Sequence, residues 1–364
     1  MRRARVLAAA LVAASPAFLA YAREDARIAV DVLVLDREGN PVTGLSQDDF
    51  EITVGKQVRP VIGARMALAD RDPRRFVFVV NRRGAKGPEL RRMKEGIESF
   101  FSTRFGERDE ALFVDFAEVP RITRGWRVGP NQAAREISNM IPIGFPSALG
   151  PAEDAADAAF MLQALAARLV GVQGRKVVVM FSRSLTTFGG SPGGTRGLGR
   201  APSSGPGSVP DLPAAQRNTD DAAEHLARAF NAARVAIYAI HLEGARRHEN
   251  GILIANRDEF VAGSTITTRT WISSPARRAR DALARPADDF LSSLASETGG
   301  AYTARATDFA RVLDRIETSN RLWYELAFEP AGTDIPGQYQ PHEVRLRNRS
   351  GLTVIVRPGH VVPH

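Results

Sequence analysis

Serine and histidine residues that directly follow two apolar segments are the first candidates for chemistry in this 364-residue sequence. Ser182 and Ser184 follow the apolar residues 177–181, and His241 follows residues 235–240. If both segments are parallel strands, these side chains lie at the carboxyl edge of one sheet, where α/β proteins bind ligands. A serine activated by a histidine could hydrolyse esters or peptides. The sequence has no Gly-x-Ser-x-Gly turn and no aspartate placed to orient the histidine, so we expect a surface His241 and no enzyme activity.

Other chemistries are excluded by composition or spacing. The sequence has no cysteine, which excludes disulfides, thiolate metal sites and cysteine nucleophiles. His342, His360 and His364 are too widely spaced for a metal site of defined spacing, and the glycine-rich residues 193–199 lack the Gly-Lys-Ser/Thr of a phosphate loop. The net charge is +8, but the arginines are scattered without interleaved aromatic residues. We therefore expect no cofactor and no nucleic-acid partner.

The first 22 residues are typical of a secretory signal peptide. Three arginines lie within the first five residues, a short apolar stretch covers residues 6–14, and Ala20 and Ala22 offer the small side chains of a cleavage site. The apolar stretch is too short to span a bilayer, although an uncleaved membrane anchor remains an alternative. No later segment has about 18 uninterrupted apolar residues, so we expect a mature chain without a transmembrane segment, periplasmic or secreted.

The central residues 73–320 alternate between two apolar patterns. Continuous apolar runs at 76–80, 111–116, 177–181 and 235–240 predict strands that are covered on both faces, with a shorter edge strand at 121–128. Apolar residues at helical spacing lie between the runs and after the last one, as at 90–100, 155–169, 222–230, 290–295 and 309–316. This alternation predicts a doubly wound, mostly parallel α/β sheet. It is interrupted by a flexible Gly/Pro/Ser-rich loop at 188–210 and a long polar connection at 244–284.

Both ends of the chain show the period-two pattern of β-strands instead. Residues 28–35 and 50–54 alternate in the N-terminal part, and residues 322–328, 344–346 and 354–356 do so in the C-terminal part. A two-stranded unit is not stable alone. The sequence therefore predicts a discontinuous, β-sandwich-like module formed by 23–72 and 321–364, with the α/β domain inserted in it.

Three sequence segments, taken in their order along the chain, resemble a known family. They are VLVLDREGNPVTGL at 32–45 with DDFE at 48–51, LASETGGAY at 294–302, and the tail from YEL at 324–326 to VRPG at 356–359. Together they span nearly the whole mature chain and resemble the von Willebrand factor type A (VWA) domain, more narrowly the exported VWA-related proteins of Acidobacteria. The resemblance implies a Rossmann-like α/β fold that binds a protein partner.

The family's functional feature is a metal-ion-dependent adhesion site, in which oxygen ligands hold a cation such as Mg²⁺ and the partner supplies a carboxylate. Its motif is Asp-x-Ser-x-Ser after the first strand, a threonine in a second loop and an aspartate after a later strand. Here the resemblance places Asn81 at the first aspartate, Arg83 and Ala85 at the two serines, and Arg183 near the later aspartate. Ser147 could replace the threonine. With both carboxylates lost, the resemblance implies a degenerate site that holds no metal.

The remaining residues of this edge could bind a partner directly. We define the degenerate rim as the candidate residues Asn81, Arg82, Arg83, Ser147, Ser182 and Arg183. Its arginines would repel a cation, and their planar guanidinium groups suit a partner's carboxylate or phosphate. Three alternatives remain open: solvated charges on a decayed paralogue, a metal-dependent adhesion protein with an atypical site, and a serine hydrolase. We expect a non-catalytic binding or scaffolding protein whose partner is a protein of the cell envelope or the extracellular space.

Overall fold

A computed structural model of the protein describes residues 27–82, 85–116, 121–140, 154–182, 223–242, 260–262, 289–304 and 306–363. The strands are β1 (Ile28–Leu35), β2 (Phe50–Val54), β3 (Gln57–Arg59), β4 (Gly63–Leu68), β5 (Arg75–Asn81), β6 (Glu110–Phe116), β7 (Arg121–Ile122), β8 (Arg127–Val128), β9 (Lys176–Ser182), β10 (Val235–His241), β11 (Phe260–Ala262), β12 (Ala301–Thr303), β13 (Leu322–Phe328), β14 (Tyr339–Leu346), β15 (Thr353–Val356) and β16 (Gly359–Val361). The helices are α1 (Gly87–Thr103), α2 (Gly129–Met140), α3 (Asp154–Leu169), α4 (residues 223–232), α5 (Asp289–Glu297) and α6 (Phe309–Ser319). The predicted signal peptide at 1–22, the loop at 188–210 and nearly all of 244–284 lie outside the described residues.

A mostly parallel sheet forms the centre of the fold. Its path is β11-β12-β10-β9-β5-β6-β7, with β8 also paired to β6. The five strands β12, β10, β9, β5 and β6 are parallel, and the short strands β7, β8 and β11 are antiparallel additions. Numbered along the chain, the parallel strands lie in the order 2-1-3-4-5. In this arrangement the strand order reverses between β5 and β9, which is where open α/β sheets place their ligands.

Helices cover both faces of this sheet. One core lies between the sheet and α1, α2 and α6, and it contains the phenylalanine rings of β5 and α1 together with Phe113 of β6. The other core lies between the opposite face and α3, α4 and α5. Successive strand residues alternate between the two cores, so the strands are apolar along most of their length, as the continuous runs predict. The mixed α/β class is confirmed.

The two ends of the chain meet in a pair of antiparallel four-stranded sheets, β15-β1-β13-β4 and β16-β14-β2-β3. Strand β1 lies between β13 and β15, and β2 pairs with β14, so N-terminal strands pair with C-terminal ones in both sheets. Side chains from both sheets share one core, in which the ring of Phe50 lies 5.3 Å from that of Tyr324. The domain boundaries at 72/73 and 320/321 remain a prediction.

Several elements have no clear signal in the sequence. Helix α2 was not predicted, because only Ala133 and Ile137 of its apolar residues are fully buried. Strand β4 lies at the edge of its sheet, and its exposed Arg65 and Met66 hide the alternation. The predicted edge strand at 121–128 consists of two separate two-residue strands, β7 and β8.

A buried carboxylate joins the sandwich to the amino ends of the parallel strands. Asp31 on β1 is 3% exposed and accepts a hydrogen bond from Arg234, while Arg175 lies 3.9 Å away. Arg357 donates to the carbonyl oxygens of Asn231 and Ala29 at 3.1 and 3.0 Å. Burial alone would raise the pKa of Asp31, but the charges of Arg234, Arg357 and Arg175 outweigh it and lower that pKa.

Replacing the carboxylate should destabilise the whole chain. Asp31→Asn leaves the buried guanidinium groups without their counter-charge, so we expect a loss of about 3–5 kcal/mol in the free energy of unfolding. Urea denaturation followed by the fluorescence of the buried Trp323 measures it. Asp48→Asn, at an exposed aspartate, is the control and should change stability by no more than about 0.5 kcal/mol. Equal effects of the two substitutions would contradict the assigned role of Asp31.

The Gly299–Gly300 turn generates a second prediction. A Cβ at Gly300 would lie 1.8 Å from the carbonyl oxygen of Ile237, which is rigid strand backbone. Gly300→Ala should therefore cost about 3 kcal/mol or more, because a strand would have to move. Gly332→Ala is the matched control, since a Cβ there meets nothing within 4 Å. Comparable melting temperatures for the two variants would show that the close approach is wrong.

Candidate functional site

Three polar side chains form a row at the carboxyl edge of the parallel sheet. Asn81, Ser182 and His241 are the last residues of β5, β9 and β10. Ser182 pairs in register with His241, and Val80 pairs with Phe181, so Asn81 lies beside Ser182. The Nδ2 of Asn81 donates a hydrogen bond of 3.1 Å to the Oγ of Ser182. This bond crosses from β5 to β9, the position at which the strand order reverses.

All three side chains of the row are buried. Asn81, Ser182 and His241 are 1%, 0% and 5% exposed, and alternation along the strands turns them toward the α3–α4–α5 side of the sheet. The expectation that His241 is a surface residue is therefore wrong. It occupies the same face as Ile237 and Ala239, and so it is enclosed like them.

The charge of Arg82 is neutralised by a carboxylate from the neighbouring strand. Its Nε donates to Oδ1 of Asp115 and its Nη2 donates to Oδ2, both at 2.7 Å. The side chain of Asp115 is 2% exposed and that of Arg82 is 13% exposed. This bidentate pair corrects the expectation that Arg82 would repel a cation at the rim, because its charge is already compensated. Asp115 could have been found in the sequence, because a lone carboxylate in an apolar strand requires a partner.

The structure brings together only part of the degenerate rim. Asn81, Arg82 and Ser182 lie at the carboxyl ends of β5 and β9, while Arg83, Ser147 and Arg183 lie outside the described residues. Ala85 packs in the core beside α1, and its backbone N–H donates to the carbonyl of Arg82 at 3.1 Å. The position that the resemblance assigns to a serine ligand is thus occupied by a buried methyl group.

The described oxygen atoms of this edge suit a divalent cation poorly. Asn81 and Ser182 supply neutral groups that are hydrogen-bonded to each other, and the carboxylate of Asp115 is held by a guanidinium. Mg²⁺ and Ca²⁺ sites are built mainly from carboxylate, carbonyl and water oxygens. Within the described ranges, no group of three His, Cys, Asp or Glu side chains could hold a metal ion.

A serine nucleophile would need a different environment from that of Ser182. The serine of a nucleophile elbow projects from a sharp turn with its Oγ exposed to the substrate. Ser182 instead lies within a strand, is fully buried and accepts the hydrogen bond from Asn81. The absence of enzyme activity remains a prediction.

No protein-family model matches the sequence, and no curated protein matches it. Similar solved structures include an aerotolerance-related membrane protein from Bacteroides fragilis, at 10% identity and a TM-score of 0.36 over 67% of this chain and 97% of that one. BatB from Bacteroides thetaiotaomicron has the same identity and TM-score over 67% and 96%. The manganese-loaded TRAP protein of Plasmodium vivax is 11% identical, with a TM-score of 0.34 over 82% and 98%. At these TM-scores the similarities support no conclusion about function.

The helices within the described ranges are too short or too polar to cross a membrane.

The Arg82–Asp115 pair can be tested by removing its negative charge. Asp115→Asn leaves Arg82 in a largely buried position without its carboxylate, so we expect a loss of about 2–4 kcal/mol in the free energy of unfolding. Glu343→Gln is the control, because Glu343 makes a similar pair with Arg345 on the exposed surface; that pair should contribute no more than about 1 kcal/mol. If both substitutions have the small effect, the Arg82–Asp115 pair does not hold this edge together.

Proposed function

We propose that this chain is an exported, non-catalytic binding or scaffolding protein whose VWA-like α/β domain contacts a partner protein without a divalent ion. The observation behind this proposal is the carboxyl edge between β5 and β9. There a hydrogen-bonded Asn81–Ser182 pair and a closed Arg82–Asp115 ion pair stand where an adhesion site needs free oxygen ligands.

Topology supports the location of the binding surface. Open α/β sheets bind ligands beyond the carboxyl ends of the strands, at the point where the strand order reverses. The β5–β9 boundary is that point, and the row of polar residues lies at it. The amino ends of β9 and β10 are covered by the sandwich through Asp31, which leaves the opposite ends of these strands for a partner.

Electrostatics supports the absence of a metal. A cation at this edge would have to take the carboxylate of Asp115 from a bidentate guanidinium, and the freed Arg82 would then repel it. Arg83 and Arg183 follow directly in the sequence after Arg82 and Ser182. They remain the candidate contacts for an acidic group of the partner, because their fork geometry matches a carboxylate.

The first measurement is thermal unfolding of residues 23–364 in EDTA and then in millimolar Mg²⁺, Mn²⁺ or Ca²⁺. We expect the same midpoint in all four conditions. An ion present at about 100 times its dissociation constant would stabilise the chain by about 2.7 kcal/mol and raise the midpoint by several degrees. A saturable rise with any of these ions would replace the metal-free proposal with a metal-dependent adhesion protein.

A rebuilt motif provides the positive control for that measurement. The variant Asn81→Asp, Arg83→Ser and Ala85→Ser restores Asp-x-Ser-x-Ser, and Arg183→Asp added to it supplies the later aspartate while Asp115 continues to neutralise Arg82. We expect this variant to gain a midpoint shift with Mg²⁺ or Mn²⁺, whereas the same variant with Asn81 retained should not. If the rebuilt variant folds and still gives no shift, this edge does not correspond to the family's metal site.

A further inference from the structure

Two histidines of the sandwich form a buried pair that has no role in the proposed binding surface. His342 lies on β14 and His360 on β16, neighbouring strands in which Gln340 pairs with His360. Their Nδ1 atoms are 3.0 Å apart, and the residues are 6% and 3% exposed. The sequence spacing of these histidines excluded a metal site, and it gave no sign that they meet.

The contact between the rings requires at least one of them to be neutral, and burial favours the state in which both are neutral. One Nδ1 must carry a proton and donate it, and the other must be unprotonated and accept it. The Nε2 atoms then differ, one being a bare acceptor and the other an N–H donor, and both are buried without a hydrogen-bond partner. A first added proton would bind the bare Nε2 and place a charge in the buried pair. A second proton would bind the accepting Nδ1, so that two N–H groups would face each other.

The surroundings disfavour those protons. The ring of Phe328 lies 5.2 Å from His360 and 6.5 Å from His342. The charged groups that act on the pair are Arg357, Asp334 and Arg59, and the Asp334 carboxylate already accepts from Arg59 and Gln340. Burial, with the positive charge of Arg357, lowers the pKa of His360 to about 4 and the pKa of His342 well below its ordinary value.

The pair fastens a segment that links three parts of the fold. We define the C-terminal strap as residues 353–363. Its first strand, β15, pairs with β1 in one sheet, and its second, β16, pairs with β14 in the other. Between them Arg357 donates to the carbonyls of Ala29 in the sandwich and Asn231 at the end of α4. Strand β16 is a three-residue edge strand, and besides its short ladder with β14 three backbone hydrogen bonds join residues 358–362 to residues 337–342. The histidine contact lies within this seam.

We propose that the His342–His360 pair is an acid-sensitive latch, and that its protonation releases β16 from β14 and loosens the C-terminal strap from both sheets and from α4.

The direction of the pH dependence follows from the neutral pair. Released histidines take up protons near their ordinary pKa of about 6.5, whereas the closed pair does so only near pH 4 or below. The latch is therefore fully closed above about pH 6.5, and its stability falls as the pH drops from there toward 4. Each proton taken up on opening raises the opening constant by about tenfold per pH unit within this window.

Hydrogen exchange followed by mass spectrometry of the full chain tests the latch. Between pH 7 and pH 5, we expect the protection factors of residues 357–363 to fall at least tenfold after correction for intrinsic rates. Those of β5 and β9 should change much less. In the variant His342→Leu with His360→Leu, which keeps the positions apolar, the strap should keep the same protection at both pH values. His225→Gln, at an exposed histidine on α4, should behave like the wild type.

A second measurement needs no variant at the pair. In ¹⁵N spectra of the histidine rings at pH 6, two rings should be in complementary neutral tautomers, with the exposed His225 as the internal reference. Both rings charged at pH 6 while the strap stays protected would overturn the proposal. So would a strap whose protection falls equally in the wild type and the double variant. Neither result depends on the metal measurements, so the latch and the proposed function can fail separately.

Discussion

The buried carboxylate of Asp31 is the interaction on which the arrangement of this protein depends. It lies on the first strand of the chain, while the guanidinium groups that neutralise it come from the segments just before β9 and β10 and from the C-terminal strap. A buried charge is tolerated only with such partners. The requirement fixes the sandwich against the amino ends of two parallel strands. Ser182 and His241 are the last residues of the same seven-residue strands. The contacts of Asp31 and the candidate site therefore lie at opposite ends of these strands, roughly 20 Å apart.

The candidate site differs from a metal site because its carboxylate is paired with an arginine of the same protein. Adhesion sites keep carboxylates available for a cation, but here the buried carboxylate at this edge is already bound in a fork by Arg82. The amide of Asn81 is likewise occupied by Ser182, across the boundary where the strand order reverses. The described polar groups of this edge thus compensate one another within the protein.

Periodicity made much of the fold predictable, because short apolar runs that alternate with segments of helical spacing favour strands between helices. The runs at 177–181 and 235–240 are covered on both faces, and Ser182 and His241 could be placed at their ends for that reason. Partners were not predictable. Asp115 meets Arg82 only because β6 lies beside β5, and His342 meets His360 only because β16 folds back on β14. The burial of His241 also depends on the helices that cover its face of the sheet.

The pairing of the two chain ends has a consequence for how the protein is made. Strand β1 is synthesised first, yet its neighbours β13 and β15 come near the end of the chain, and the hydroxyl of Tyr324 reaches the carbonyl of Val42 across 282 positions. Contacts so distant in sequence form slowly. The apolar faces of β1 and β2 thus lack the C-terminal part of their shared core, including Tyr324 and Val344, until the last strands have been translated. During that interval the apolar faces of these two strands are open to aggregation.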